Sequence, residues 1–164
     1  MSALAHLADE FDREAASTRR LLARLPDRHF AWRPHPKSFT AGELAAHTVD
    51  CLAWVAPVLT RSEYNVDPAT FRPFTAATSM ALVAGLDATA DAGRRAIAAA
   101  APADLEAPWR FLVRGRVKWE RPRAVVLRDF TFSHLAHHRG QFSVYLRLLD
   151  LPVPGVYGPS ADDR

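Results

Sequence analysis

The chain has 164 residues, of which 49% are hydrophobic and 24% charged, a composition that predicts one soluble globular domain over residues 1–164. Its 21 basic and 18 acidic residues give a formal net charge of +3, a bias too small to imply nucleic-acid binding by itself. A single cysteine excludes an internal disulfide, and no apolar run approaches the roughly 20 residues needed to span a bilayer. Because acidic residues stand where a secretory signal would be apolar, we expect a cytoplasmic protein without membrane association.

Apolar residues at steps of three and four predict four amphipathic helices. These cover about Ser2–Leu25, Ala41–Ser62, Thr78 or Ser79 to Ala100, and Ala124–Leu149. Three prolines in residues 26–39 make that segment a loop. Thr40 and Glu43 then fit a capping box, which begins the second helix. Pro57 lies inside the second helix and predicts a kink or an early end, and two glycines reduce the intrinsic helix preference of the third.

A short β-hairpin is predicted between the third and fourth helices, where apolar and polar residues alternate. A turn of three residues would pair Val113 with Val117 and would also pair Phe111 with Trp119. A turn of two residues would place Val113 opposite Arg116, so the apolar register favours the longer turn. The predicted fold is therefore all-α, a four-helix bundle with a hairpin covering one end or side.

Three of the seven histidines lie on helix faces that point toward the predicted core. His134 and His138 are four residues apart, so their side chains leave the same face of the last helix, as in the HExxH zinc motif. His47 has the same relation to the apolar face of the second helix. Burying unpaired imidazoles is costly, and one metal ion would satisfy all three. We therefore predict a metal site formed by His47, His134 and His138, with three separate core histidines as the alternative.

Residues near this predicted site have alternative roles. Cys51, one turn after His47, is either a soft fourth ligand or a small buried thiol. As a ligand it would close the site and weaken a catalytic interpretation. Tyr145 lies two turns beyond His138 on the same face, where it could donate a hydrogen bond to a substrate, although a place in the core is the simpler interpretation. His137 is expected beside the site or at the surface.

The sequence resembles the DinB/YfiT-like family of metal-dependent enzymes over nearly its whole length. The most specific segments are Trp32–Pro34, Ser38–His47, the block His134–Gln141, and the ending Leu151–Gly158. The resemblance implies an up-down-down-up four-helix bundle with a long crossing connection. It also implies a divalent metal held by His47, His134 and His138, the same residues that helical periodicity selects.

Three imidazoles leave a coordination position open, which is typical of catalytic rather than structural metal sites. Such ligands suit zinc, nickel and iron alike, so the sequence leaves the ion unidentified. Because the family includes thiol-dependent transferases, the resemblance implies a metal-dependent S-transferase that acts on a small molecule with a low-molecular-weight thiol as cosubstrate. A metal-dependent hydrolase and a non-catalytic metal or ligand carrier are the alternatives.

The main rival interpretation is nucleic-acid binding by the hairpin region. Seven basic residues and one acidic residue lie between Arg110 and Arg128, interleaved with aromatic side chains as in single-strand binders. The predicted register, however, puts the aromatic residues on the buried face, opposite most of the charges, so we expect a solvated surface instead. We also expect a homodimer, for which Trp54, Phe71 and Phe74 are candidate apolar surface residues.

Overall fold

The protein is mostly helical and carries one small β-sheet. A computed structural model describes residues 2–163, so both end residues of the predicted domain lie outside it. The elements are α1 (Ala3–Leu22), α2 (Ala41–Ala53), α3 (Val55–Thr60), β1 (Glu63–Val66), α4 (Ser79–Ala99), β2 (Pro108–Val113), β3 (Arg116–Pro122), α5 (Arg123–Val126) and α6 (His134–Leu148). A π-helical segment, Leu127–Ser133, joins α5 to α6. Among the described residues, no helix is both long enough and apolar enough to cross a bilayer.

The core lies among the long helices. Helix α1 packs against α4, and α2 packs against both α4 and α6. The side chains that fill this interior include Phe11, Leu22, Leu44, Leu86 and Phe142, all at most 1% exposed. Each such side chain contributes about 1.5–3 kcal/mol by leaving water. The up-down-down-up order of helix directions stays a prediction.

The start of α2 confirms the predicted capping box. The Glu43 N–H donates to Oγ1 of Thr40 over 3.1 Å, and the Thr40 N–H donates to Oε2 of Glu43 over 2.7 Å. The predicted second helix, Ala41–Ser62, is divided into α2 and α3 at Trp54. Pro57 explains the break, because proline has no N–H to offer the carbonyl of residue 53 and its ring clashes with that carbonyl.

Helix α4 is continuous despite Gly85 and Gly93, and an aromatic ring packs closely against each of these glycines. A Cβ atom on Gly85 would lie 2.3 Å from Cζ of Phe74, and one on Gly93 would lie 2.3 Å from Cζ of Phe11. Only a residue without a side chain permits such close approaches. The glycines therefore fix the packing of two other segments on α4 at a small cost in helix preference.

The sheet corrects the prediction of an all-α chain with one hairpin. Strand β1, which the sequence analysis missed, pairs in parallel with β2, and β2 pairs antiparallel with β3 to complete three strands. Strand β1 lies more than 40 residues before its partner strand β2, and Glu63 pairs with Arg110. A sequence pattern within β1 alone therefore cannot predict this pairing.

The predicted three-residue turn is wrong. The hairpin closes through two residues, Arg114 and Gly115, which have φ of 49° and 73° and form the primed kind of turn that matches strand twist. Val113 therefore pairs with Arg116 instead of Val117. A bulge between Phe111 and Leu112 then shifts the register by one residue, so the predicted pairing of Phe111 with Trp119 is confirmed.

Candidate metal centre

The imidazole rings of His47, His134 and His138 lie together where α2 faces the start of α6. Ring centroids are 5.1 Å apart for His47 and His134, 4.5 Å for His47 and His138, and 4.7 Å for His134 and His138. All three side chains are partly buried. The π-helical segment ends directly before His134, and such local widenings of a helix are frequent at functional sites. We call these three residues the histidine cluster.

The distance between two of the donor atoms fits a shared metal ion. Nε2 of His47 and Nε2 of His134 are 3.3 Å apart. Two nitrogens that each lie about 2.0–2.1 Å from one ion at a tetrahedral angle are separated by about 3.4 Å. The spacing and the nitrogen chemistry of the donors therefore fit a divalent metal.

The electrostatic surroundings keep these imidazoles neutral. Burial lowers the pKa of His47 to about 4, with smaller contributions from the charges of His138 and His134. Burial also lowers the pKa of His134 and of His138, although a backbone hydrogen bond at Phe130 opposes the shift for His134. Neutral imidazole is the form that binds a metal, so no proton has to be displaced near neutral pH.

Cys51 lies next to the histidine cluster. His47, Cys51 and His134 form a group that could hold a metal ion, with one donor atom from each within 4.8 Å of the others. Cys51 is completely buried, and this burial, followed by the charge of Asp50, raises the pKa of its thiol to about 12. A thiol must lose its proton to bind a metal. Its surroundings therefore oppose the form of Cys51 that would close the site.

Gln141 orients one ring of the histidine cluster. Nδ1 of His138 and Oε1 of Gln141 are 2.8 Å apart, so the Nδ1–H group can donate a hydrogen bond to the amide oxygen, which leaves the lone pair of Nε2 free to bind a metal. His137 is exposed, with its ring centroid 4.8 Å from that of His138. The hydroxyl of Tyr145 donates to the carbonyl of Phe39 over 3.2 Å, so its proton is already engaged within the protein.

Two cavities share Phe39 in their lining. The first, which we call the apolar cavity, has a volume of about 360 Å³ and is lined by Phe39, Gly42, Glu43, Ala46, His47, Asp50 and residues 73–76. The second, which we call the polar cavity, has a volume of about 290 Å³ and is lined by Lys37, Ser38, Phe39, Leu44, His138, Gln141 and Tyr145. Each cavity includes one histidine of the cluster, so small molecules in both can approach the same centre.

Asp50 holds the segment that closes the apolar cavity. Its Oδ1 accepts a hydrogen bond of 3.0 Å from the Phe74 N–H, while the ring of Phe74 rests on Gly85. Burial raises the pKa of the Asp50 carboxyl. The sequence analysis missed both Asp50 and the orienting contact of Gln141. Each lies three residues after a histidine of the cluster, a helical spacing that could have indicated a shared face.

Arg139 forms a buried ion pair with Glu14. The side chain is 1% exposed. Its guanidinium donates to a carboxylate oxygen of Glu14, to the hydroxyl of Tyr157, and over 3.3 Å to Oγ1 of Thr18. The Tyr157 hydroxyl in turn donates to Glu14 over 3.1 Å. This arginine cluster, formed by Arg139, Glu14, Thr18 and Tyr157, ties α6 to α1 and to the C-terminal segment.

Aromatic and basic side chains of the hairpin region have partners within the protein. The rings of Phe111 and Trp119 stack on each other at 5.3 Å, and Trp109 is completely buried, so these faces are occupied within the protein. Five of the seven basic residues between 110 and 128 form ion pairs with acidic side chains; these are Arg110, Arg114, Arg121, Arg123 and Arg128. The solvated-surface interpretation fits these contacts better than nucleic-acid binding does.

The fold and the His/Cys group define a class of small helical protein with a candidate metal centre. The chain belongs to the DinB family, whose family model matches residues 1–164. It is similar to the uncharacterized protein YrdA of Bacillus subtilis strain 168, with 27% identity over 164 residues that cover 98% of this chain and 91% of YrdA.

Two solved structures share the fold. The structure of a DinB-like protein from Bacillus cereus ATCC 10987 has a TM-score of 0.72 and 24% identity, covering 91% of this chain and 94% of that one. The structure of the DinB-like protein YjoA from Bacillus subtilis has a TM-score of 0.69 and 16% identity, covering 97% and 99%. At these identities the likeness concerns the fold alone. The homodimer predicted from Trp54, Phe71 and Phe74 stays a prediction.

Proposed function

We propose that this protein is a metal-dependent enzyme that holds one divalent ion with His47, His134 and His138 and transfers a small thiol to an electrophilic acceptor. The observation that carries the proposal is the 3.3 Å separation of the Nε2 atoms of His47 and His134, which suits two ligands of one ion. Zinc, nickel and iron all accept imidazole ligands. When bound in an open three-histidine site, such an ion lowers the pKa of a coordinated thiol.

The residues around the histidine cluster supply orientation and exclusion of water. Gln141 holds the ring of His138 through its Nδ1 atom. The segment that Asp50 fixes closes one side of the apolar cavity. Burial raises the pKa of the Cys51 thiol and so disfavours the thiolate that would close the site, which supports a coordination position open to a cosubstrate.

The thiol and the acceptor have separate places beside the centre. Phe39 lines both cavities, while His47 lines one and His138 the other, so two small molecules can meet at the histidine cluster. In the reaction, the thiol sulfur forms a bond to the acceptor carbon, the thiol proton passes to solvent, and the leaving group departs with its electron pair.

The test is a turnover assay with protein loaded separately with zinc, nickel or ferrous iron. Small thiols and electrophilic acceptors such as aryl halides are screened against the wild type and against His134→Ala. We expect turnover by the wild type, its loss in His134→Ala, and full activity in the matched control His137→Ala, because His137 is exposed. Metal-loaded wild-type protein that turns over no thiol would contradict the transferase proposal, and ester hydrolysis in the same screen would favour a hydrolase.

A further inference from the structure

Two sets of ligand atoms overlap at the histidine cluster. The first set is the three imidazoles described above, and the second has Cys51 in the place of His138. The donor atoms of His47, Cys51 and His134 all lie within 4.8 Å of one another. His47 and Cys51 are four residues apart on α2, so their side chains leave the same face of that helix, and His134 meets them from the start of α6. The two sets therefore share two nitrogens and differ in the third ligand.

We propose that the second set is a binding site for thiophilic metal ions, such as cadmium and monovalent copper, which His47 and His134 hold together with the thiolate of Cys51. The inference goes beyond the proposed function, because it concerns other ions and another ligand, although it rests on the same pair of imidazoles. When the ion binds, the sulfur forms a bond to the metal and the thiol proton passes to solvent. No atom changes its oxidation state in this step.

The chemistry of the two sets separates the ions that they favour. Three neutral imidazoles bind a borderline ion such as zinc without losing a proton. Cys51 is completely buried among the core side chains, and apolar surroundings disfavour its thiolate. This cost is offset only when the bond to sulfur is much stronger than the bond to a third nitrogen, which is the property of soft ions. Zinc should therefore use His138, and a thiophilic ion should use Cys51.

Small movements complete the second set. Two ligands at about 2.1 Å for nitrogen and about 2.3 Å for sulfur, at a tetrahedral angle around one ion, are about 3.6 Å apart. The Nε2 atoms of His47 and His134 already lie 3.3 Å apart. A rotation of about 30° about the Cα–Cβ bond of Cys51 moves its sulfur by about 0.9 Å, at a modest cost in rotamer energy. A movement of this size covers most of the difference between 4.8 Å and the separation that one ion requires.

The experiment compares cadmium with zinc in four proteins. These are the wild type, Cys51→Ala, His138→Ala and the matched control His137→Ala, whose histidine is exposed. Each is prepared free of metal and titrated with either ion in a thiol-free buffer. Ultraviolet difference spectra record the charge-transfer band of a cadmium–thiolate bond, for which Cys51 is the one thiol of the chain. Metal analysis after desalting records the ions kept, and circular dichroism reports the fold of each variant.

The expected result is a crossover between the two ions. The wild type and His137→Ala should bind about one equivalent of either ion and show the band with cadmium. Cys51→Ala should lose the band and keep its zinc, because the three imidazoles remain. His138→Ala should lose its zinc and keep both the cadmium and the band, because the second set remains.

Three results would each overturn the assignment of Cys51. These are cadmium bound by the wild type without the band, a band that persists in Cys51→Ala, and a band that disappears in folded His138→Ala. The proposed function would survive all three, because zinc would still bind to the histidine cluster. Zinc lost from folded Cys51→Ala would overturn the separation of the two sets.

Failure of the proposed function is recognised by a different result. Zinc-loaded protein that turns over no thiol would contradict the transferase proposal, while the cadmium band and its loss in Cys51→Ala would still support the second set. A wild type that binds neither zinc nor cadmium would overturn both proposals.

Discussion

Consecutive residues of α6 contribute to two different polar clusters. His138 belongs to the histidine cluster and Arg139 to the arginine cluster. Because successive residues of a helix are rotated by about 100°, the two side chains leave α6 in different directions. The clusters therefore differ in what surrounds them, although they share one helix and one stretch of sequence.

The arginine cluster is satisfied by the protein itself. Arg139 has hydrogen-bond partners in Glu14, Thr18 and Tyr157, and Glu14 also accepts from Tyr157. The charge of the guanidinium is balanced by the carboxylate of Glu14. Such an arrangement stabilises the packing of three segments. Its charges and hydrogen bonds are satisfied within the protein, so it gives no indication of a ligand site.

The histidine cluster shows the opposite situation. Gln141 engages Nδ1 of His138, while the Nε2 atoms of His47 and His134 lie at a separation that suits two ligands of one ion. Burial of a polar residue thus does not by itself indicate a functional site. A functional site is indicated where the protein brings several ligand atoms together and a metal ion is the partner that satisfies them best.

The largest expected effect is on the arginine cluster. Arg139→Met leaves the carboxylate of Glu14 buried without its partner, so we expect a loss of about 3–5 kcal/mol in the free energy of unfolding, measured by urea denaturation. The matched control is Arg128→Met, which breaks the more exposed ion pair with Glu10 and should cost less than about 1 kcal/mol. Equal losses in the two variants would mean that the buried pair has no special role.

Metal binding should stabilise the histidine cluster and leave the arginine cluster as it is. Zinc at 100 times its dissociation constant should raise the free energy of unfolding of the wild type by about 2.7 kcal/mol. His134→Ala should lose this increment, and His137→Ala should retain it. Calorimetric or urea unfolding with and without zinc measures the effect. A similar zinc increment in His134→Ala would show that zinc binds elsewhere.

Gln141 should matter through His138 and not through packing. Gln141→Leu removes the acceptor at Nδ1 of His138, so we expect zinc affinity to fall about 10- to 100-fold in a competition titration with a chromophoric chelator. Gln141→Glu keeps an acceptor at this position and should bind zinc at least as tightly as the wild type. Unchanged zinc affinity in Gln141→Leu would show that Gln141 does not orient His138 for metal binding.

The smallest expected effect concerns the C-terminal segment. Tyr157→Phe removes one hydroxyl from the arginine cluster and should cost about 0.5–1.5 kcal/mol of unfolding free energy, with no change in zinc affinity. Tyr64→Phe is the control, because no hydrogen bond of the Tyr64 hydroxyl is found within residues 2–163, and it should cost less than about 0.5 kcal/mol. A change in zinc affinity in Tyr157→Phe would contradict the expectation that the arginine cluster and the histidine cluster are energetically independent.

Local chemistry made much of the helical structure predictable. The capping box of Thr40 and Glu43 places the start of α2 correctly, and Pro57 accounts for the division of the predicted helix. Helical periodicity also placed His47, His134 and His138 on interior faces, where their rings meet. Whether all three bind a metal stays a prediction.

What the sequence did not reveal depends on contacts between distant segments. Strand β1 exists because it pairs with β2, far along the chain, and its own four residues carry too short an alternation to be recognised. With a two-residue turn, Phe111 stays opposite Trp119 only because a bulge lies between Phe111 and Leu112, and no local pattern encodes that bulge. The same holds for the apolar cavity, which depends on how Asp50 fixes the Phe74 segment.

The measurement that tests the central claim most directly is the metal content of tag-free wild-type protein, of His138→Ala and of Cys51→Ala, each incubated with zinc and desalted. The account predicts about one equivalent in the wild type and in Cys51→Ala, and a loss of the metal in His138→Ala, because three imidazoles hold the ion and the buried thiol does not. A wild type that takes up no zinc, or a metal lost in Cys51→Ala and kept in His138→Ala, would contradict it.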